Sequence, residues 1–347
     1  MTTLTPTAAP LDEAELEELL SRPDEAVTAA LSQIDGDVVM LGAGGKVGPT
    51  LAMMAARALE AAGSASRVIG VSRWSDPAVR DRLEHAGVRT VSADLAAPDT
   101  YAELPDAGAV VFLAGHKFGS ATDTSRTWWM NAAVPALSAS RYRGVPSLVY
   151  SSGNVYPLRP AWTGGASELD PVGPVGVYAQ SCLAREEMYR RAAGEWGTPV
   201  TLFRLNYAAE LRYGVIADVA ATVLAGRPVD VTMPAFNVVW QGDANRWALA
   251  SLGIATPEVS VLNAAGPETL SVRAVASEIA RRAGLDVEFT GSEATDALLS
   301  DGRKCHRLFG YPTVTAQQAL EWTVEWMQRG GRSLGKPTKF EQREGRF

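Results

Sequence analysis

The sequence predicts a doubly wound α/β fold, a parallel sheet covered by helices on both faces, and three observations predict it. Short β-branched runs alternate with alanine-rich helical stretches, the runs carry apolar residues on both faces, and the first opens directly into a glycine-rich turn. With 347 residues, 46% of them hydrophobic and 20% charged, the chain is long enough for two domains or for one large α/β unit with an appendage.

Taken in order, residues 11–33 read as one or two acidic amphipathic helices, with Pro23 suited to a first helical position. They are expected to form a helical extension, residues 1–34, packed beside the main domain. From Asp35 the runs 38–41, 67–71, 89–92, 109–114, 147–151 and 200–205 read as strands. Helical periodicity fills 50–62, 79–86 and 178–194 between them. The alternation defines an α/β sheet domain over 35–205. After Asn206 it gives way to Pro- and Gly-rich connections and to helices at 271–283 and 316–328. Residues 206–347 are therefore expected to form a smaller substrate-binding portion, interleaved with the sheet.

Composition excludes several classes. A net charge of −7 argues against nucleic acid, whose recognition rests on clustered cations. Of 32 basic residues only five are lysines: Lys46, Lys117, Lys304, Lys336 and Lys339. No apolar run approaches the roughly 18 residues of a membrane span, and residues 1–10 lack the pattern of an export leader, so a cytoplasmic protein is expected. Two cysteines, Cys182 and Cys305, give neither a disulfide framework nor metal-ligand spacing, and no metal is expected. His85 and His306 have no partner in the sequence and are expected at the surface. Arg185, Arg190 and Arg191 are expected to pair with Glu186, Glu187 or a neighbouring helix.

The first strand leads into Gly42-Ala43-Gly44-Gly45-Lys46-Val47-Gly48 and then a helix. A helix start gathers free N–H groups and the positive end of the helix dipole, and glycines let a pyrophosphate approach that backbone. At the end of the second strand stand Ser72 and Arg73, with no acid until Asp76. An acid there would bind the ribose 2′-hydroxyl of NAD, whereas an arginine accommodates the 2′-phosphate of NADP. Arg73, with Lys46 nearby in the loop, leans the choice between NAD and NADP towards NADP.

Further residues follow in a recognisable order. Gly42, Gly45 and Gly48 have G-x-x-G-x-x-G spacing; Asp94-Leu95 follow the third strand and Phe112-Leu113-Ala114 lie on the fourth. Asn131 comes in the next helix, then the run 149–156 containing Ser152, then Glu168, Pro174 and Tyr178, then Arg204-Leu205-Asn206. Across roughly residues 36–328 the sequence resembles the extended short-chain dehydrogenases/reductases and, within them, the NAD-dependent epimerase/dehydratase family. The resemblance implies a Rossmann domain whose loop, Gly42 to Gly48 with Gly44, Gly45, Lys46 and Val47, binds pyrophosphate. Asp94 and Leu95 would meet the adenine, and Ala114 and Gly115 the nicotinamide half. Ser152 would hydrogen-bond the reacting oxygen and Tyr178 would be the general acid/base. The implied reaction is hydride transfer on a carbohydrate or related hydroxy/keto compound, giving net redox or epimerisation. His116, Asn154, Asn206, Arg212 and Trp240, with Tyr213 and Gln241 alongside, are the candidate substrate contacts. Trp128-Trp129 lies in a segment that such proteins use for dimer packing, so a homodimer is expected.

One departure stands out. The family's motif is Y-x-x-x-K, and this chain reads Tyr178-Ala179-Gln180-Ser181-Cys182. Residues i and i+4 share a helix face, so the missing lysine would stand beside the tyrosine and favour its ionised form. An unperturbed tyrosine has a pKa of about 10, and making it a base at pH 7 needs about 4 kcal/mol. Three readings follow. Another cation replaces the lysine, with Lys117 and His116 in the loop after the fourth strand best placed; or the positive charge of an oxidised nicotinamide is enough; or redox chemistry is lost and the protein is a nucleotide-binding regulator or scaffold.

Overall fold

Strand β1 (Val38–Leu41) alternates its side chains between two cores, and that alternation fixes the architecture. Val38 and Met40 join one cluster with Leu51, Met54 and Trp247; Val39 and Leu41 join another with Phe112, Tyr189 and Leu202. In the computed structural model, which describes Ala8–Phe347, the strand is thus apolar on both faces because both are covered.

The remaining strands of the sheet are β2 (Val68–Ser72), β3 (Arg89–Ser92), β4 (Ala109–Phe112), β5 (Ser147–Ser152), β6 (Val200–Leu205) and β7 (Ser260–Ala264). All pair in parallel, in the order β7-β6-β5-β4-β1-β2-β3. The order reverses between β1 and β4, which opens the crevice where a doubly wound sheet takes its ligand. β7 comes from the later part of the chain and closes one edge beside β6.

The helices are α1 (Glu13–Leu20), α2 (Glu25–Ser32), α3 (Gly48–Ala61), α4 (Pro77–His85), α5 (Thr124–Trp128), α6 (Val134–Arg141), α7 (Gly176–Trp196), α8 (Val215–Leu224), α9 (Gln241–Ala250), α10 (Val272–Ala283), α11 (Arg303–Phe309) and α12 (Ala316–Gln328). Pro23 lies just before the cap rather than inside α2. Asp24 is the cap, its carboxylate accepting from Val27 N–H at 2.9 Å, so the helix starts one residue beyond it. α1 and α2 do more than lie alongside: Leu16 and Leu20 enter the core built from α8, α10 and α12, while Val27 and Leu31 enter that of the sheet. Residues 1–7 of the expected extension lie outside the described residues.

Two features shape the site. Between α5 and α6, Trp129–Ala133 form a π-helical turn, one residue wider than an α-turn. Beyond α12, residues 331–347 run back as a strap over the carboxyl end of the sheet. The indole N–H of Trp326 donates to Arg332 O, Leu334 N–H donates to Arg212 O, and Phe340 is buried against Phe236. Gly345 crosses Gly176 at the start of α7 so closely that a Cβ on Gly176 would come 2.5 Å from Gly345 O.

Among the described residues no helix is long and apolar enough to cross a membrane, and no His/Cys/Asp/Glu group is arranged to hold a metal ion. His306 is buried, not at the surface: it stacks on Tyr311, packs on Trp247 and bonds Ala265 O through Nε2. Its partners come from distant segments, which is why the sequence around it gave no sign of them. His85 is exposed on α4, where its ring bonds Asp81 O of its own helix.

Candidate functional site

The crevice at the β1–α3 turn is built by close backbone approach. Gly42 has φ +93° and packs so tightly on β4 that a Cβ would meet Ala114 N at 2.7 Å. Around it Gly45, Ser72, Arg73, Asp94 and Ala114 line a cavity of about 210 Å³. Gly44, Leu95 and Gly115 lie in the same cavity, and Gly48 opens α3. Backbone stripped of side chains at a helix N-terminus fits a pyrophosphate. Asp76 is occupied in capping α4, accepting from Ala78 N–H at 3.0 Å, which leaves Arg73 as the charged side chain at the end of β2.

Lys46 and Val47 face elsewhere. Both line a second cavity of about 190 Å³, with Lys117, Ser152, Asn154 and Tyr178. The Lys46 ammonium lies over the Tyr213 ring, so it does not join Arg73 as the sequence suggests. The loop turns this side chain across the mouth of the sheet, away from the end of β2.

Ser152 ends β5, where its hydroxyl accepts from Asn154 N–H at 3.2 Å and from Asn154 Nδ2 at 3.0 Å. Tyr178 stands in the first turn of α7, with Ser152 and Cys182 beside its hydroxyl. Burial, and then Cys182, push the Tyr178 hydroxyl well above its ordinary pKa, while Arg185 opposes them. Burial also raises the Cys182 thiol. Cys182 is fully buried with Val155, Tyr156 and Ala166, the setting of a small hydrophobe and not of a nucleophile.

The loop after β4 brings Lys117 to this tyrosine. Its Nζ lies 5.6 Å from the centroid of the Tyr178 ring and 4.5 Å from that of Phe347, and it donates to Thr338 O at 3.2 Å. Burial pushes the Lys117 ammonium down to about 8. Phe347 meets Tyr178 edge-on, ring centres 5.4 Å apart at 72°. Lys117 therefore sits beside the contact of the tyrosine with the strap.

A buried frame holds these groups. The Asn131 side chain, on the π-helical turn, accepts from His116 N–H at 2.8 Å and donates to His116 O and Ser181 Oγ, both at 2.9 Å. Arg185 donates to Asn131 Oδ1 at 2.9 Å and to Tyr150 O at 2.6 Å, in place of the acidic partners expected from its helix. Arg190 and Arg191 do pair along α7, with Glu187 at 3.5 Å and Glu195 at 2.8 Å. Behind the site Glu186 receives Arg204 through two hydrogen bonds of 2.8 and 2.6 Å and Ser151 Oγ at 2.6 Å, tying α7 to β5 and β6.

The candidate substrate residues divide. Asn154 and Asn206 line the Tyr178 cavity, as do Tyr213 and Gln241. His116 turns away to Thr127 Oγ1, at 3.0 Å, and its backbone is what positions the neighbouring lysine. Arg212 is committed to Glu210, Glu13 and Glu17 and borders a separate cavity of about 700 Å³ between α8 and the strap. Trp240 packs edge-on against Trp322 in the core. Trp128 and Trp129 keep exposed indoles on the outer surface. The sequence reading missed Tyr207, Thr338 and Phe347; the first follows Asn206 directly and was within reach of motif reasoning, the other two lie in a segment with no periodicity.

Comparison with known proteins bears on the fold and the family. No curated protein matches the sequence. Among solved structures, MoeE5 in complex with UDP-glucose and NAD is 22% identical, covering 85% of this chain and 99% of its own, with a TM-score of 0.68. UDP-glucuronic acid 4-epimerase from Bacillus cereus, in complex with UDP-glucuronic acid and NAD, is 18% identical over 84% and 99%, at 0.70. dTDP-glucose 4,6-dehydratase from Bacillus anthracis, in complex with NAD, is 15% identical over 85% and 97%, at 0.69. These likenesses establish a shared fold. The family model for the NAD dependent epimerase/dehydratase family matches residues 38–246, more than half of the chain, and the protein belongs to that family.

Proposed function

We propose that the protein is an NAD(P)-dependent hydride-transfer enzyme, an oxidoreductase or epimerase, acting on a hydroxy- or keto-carbohydrate, in which Lys117 takes the place of the lysine missing at position 182. The observation that carries this reading is the Lys117 ammonium 5.6 Å from the Tyr178 ring centroid. At an effective dielectric of about 20, a unit charge at that range stabilises a tyrosinate by on the order of 3 kcal/mol. An unperturbed tyrosine needs ~4 kcal/mol to ionise at pH 7, and burial beside Cys182 raises that requirement for Tyr178, so Lys117 offsets part of it.

When bound, the dinucleotide supplies the hydride acceptor or donor. The glycine loop would hold its pyrophosphate, Asp94 and Leu95 its adenine, and Ala114 and Gly115 its nicotinamide half; Arg73, with Asp76 used as a cap, supports NADP. Tyr178 removes or returns the proton of the reacting hydroxyl, and Ser152 donates a hydrogen bond to the same oxygen as charge develops there. Asn154 fixes the Ser152 hydroxyl.

A panel of hydroxy-sugars with either dinucleotide, followed by dinucleotide absorbance, tests this. Tyr178→Phe is expected to lower turnover by ~100-fold or more while keeping dinucleotide affinity. Turnover unchanged in that variant overturns the mechanism. The apolar surroundings of Cys182 favour a second reading, a nucleotide-binding regulator or scaffold; tight dinucleotide binding with no reduction by any hydroxy-sugar would support it.

A further inference from the structure

Among the described residues Lys46 is a cation without an anionic partner. Its ammonium makes no hydrogen bond and no ion pair among the described residues and rests on the Tyr213 ring, facing the Tyr178 cavity. The neighbouring carboxylates are engaged elsewhere: Glu210 pairs with Arg212, and Asp218 accepts Thr338 N–H at 2.7 Å and Thr338 Oγ1 at 2.5 Å. Lys117 and Lys336 lie close enough to repel it, and Lys339 repels Lys117 in turn. Four of the five lysines of an otherwise acidic chain thus gather at one cavity and the strap that covers it. Burial, with that repulsion, brings Lys46 down to about 7. A half-buried, unpaired ammonium is unfavourable unless an anion completes it.

We propose that Lys46, beside Lys117, binds an anionic group, a carboxylate or phosphate, carried by the reacting sugar itself. The inference rests on reading the Tyr178 cavity as the substrate site. The cavity of about 190 Å³ falls below the 300–1,000 Å³ usual for ligand sites, and Thr338 of the strap forms part of its wall. Lys336, Pro337 and Phe340 of the same strap line the 700 Å³ cavity instead, so the strap lies between the two spaces. A small acidic or phosphorylated sugar suits the inner space.

The test measures binding to the dinucleotide-loaded protein by thermal shift and titration, with inorganic phosphate, D-glucuronate, uncharged D-glucose and UDP-glucose, in wild type and Lys46→Met. Phosphate and glucuronate are expected to stabilise the wild type and glucose not, and Lys46→Met is expected to lose ~10-fold or more in anion affinity with dinucleotide affinity unchanged. No effect of either anion, or equal anion affinity in Lys46→Met, overturns the proposal. A parallel loss of dinucleotide affinity overturns it in favour of the cofactor pyrophosphate as the anion. UDP-glucose binding where phosphate and glucuronate do not overturns the small-substrate assignment. Because no turnover is measured, failure here leaves the Tyr178 reading standing, and failure of Tyr178→Phe leaves these affinities intact.

Discussion

Lys117 Nζ lies beside two aromatic rings that meet edge-on, 5.6 Å from the centre of Tyr178 and 4.5 Å from that of Phe347, and reaches both from a loop far from either in sequence. The charge absent from α7 is present in space. Lys117→Met is expected to lower kcat by ~100-fold with dinucleotide affinity kept, and Lys117→Arg to restore part of it. In the wild type kcat/KM should fall above about pH 8, as the lysine loses its proton. A flat profile there, or unchanged kcat in Lys117→Met, would remove Lys117 from the mechanism.

Cys182→Lys writes the family motif back into the helix, yet activity is expected to stay level or fall. Position 182 is fully buried among Val155, Tyr156 and Ala166, with Lys117 already nearby. An added ammonium there is unpaired, and stability should drop by about 3 kcal/mol in denaturant unfolding. A rise in turnover would mark Cys182 as a defect, not part of a rebuilt site.

The stability of the unliganded protein should depend on pH through Lys46. Its folded pKa is about 7 against 10.5 for the unperturbed group. Between those values the unfolded chain holds the extra proton, so stability rises with pH across the window. Lys46 is therefore a full penalty below pH 7, one that fades towards pH 10.5. Lys46→Met should raise Tm near pH 6, with the gain shrinking by about pH 9.5. A gain independent of pH is the contrary result.

Arg73→Ala separates the two dinucleotides. Loss of a guanidinium from the end of β2 should weaken NADP by ~10-fold or more and leave NAD within a factor of about two. Tighter NAD than NADP in the wild type, unmoved by the substitution, would assign NAD as the cofactor.

Much of this was legible in the chain. β1 through β6 and the glycine turn follow from local pattern, since strand alternation and helix spacing are short-range properties, whereas Ser152 and Tyr178 stood out through the family resemblance. Lys117 was legible as a candidate because strands end at the ligand edge. What the pattern could not give were directions and distant partners. Lys46 belongs to the glycine loop yet points to Tyr213; Arg212 looks like a substrate residue yet meets Glu13 and Glu17 of α1; Arg185 bypasses its neighbouring glutamates for Asn131. The strap reads as polar, aperiodic sequence, and its role appears only where Thr338 and Phe347 arrive at the site.

The wide turn at Trp129–Ala133 makes residue count as decisive as residue identity. Each residue advances an α-helix by about 100°, so deleting one alanine from that turn would restore regular winding and swing Asn131 off the Arg185 guanidinium and the His116 backbone. A single-codon deletion, altering no polar side chain, would then unmoor the Lys117 loop.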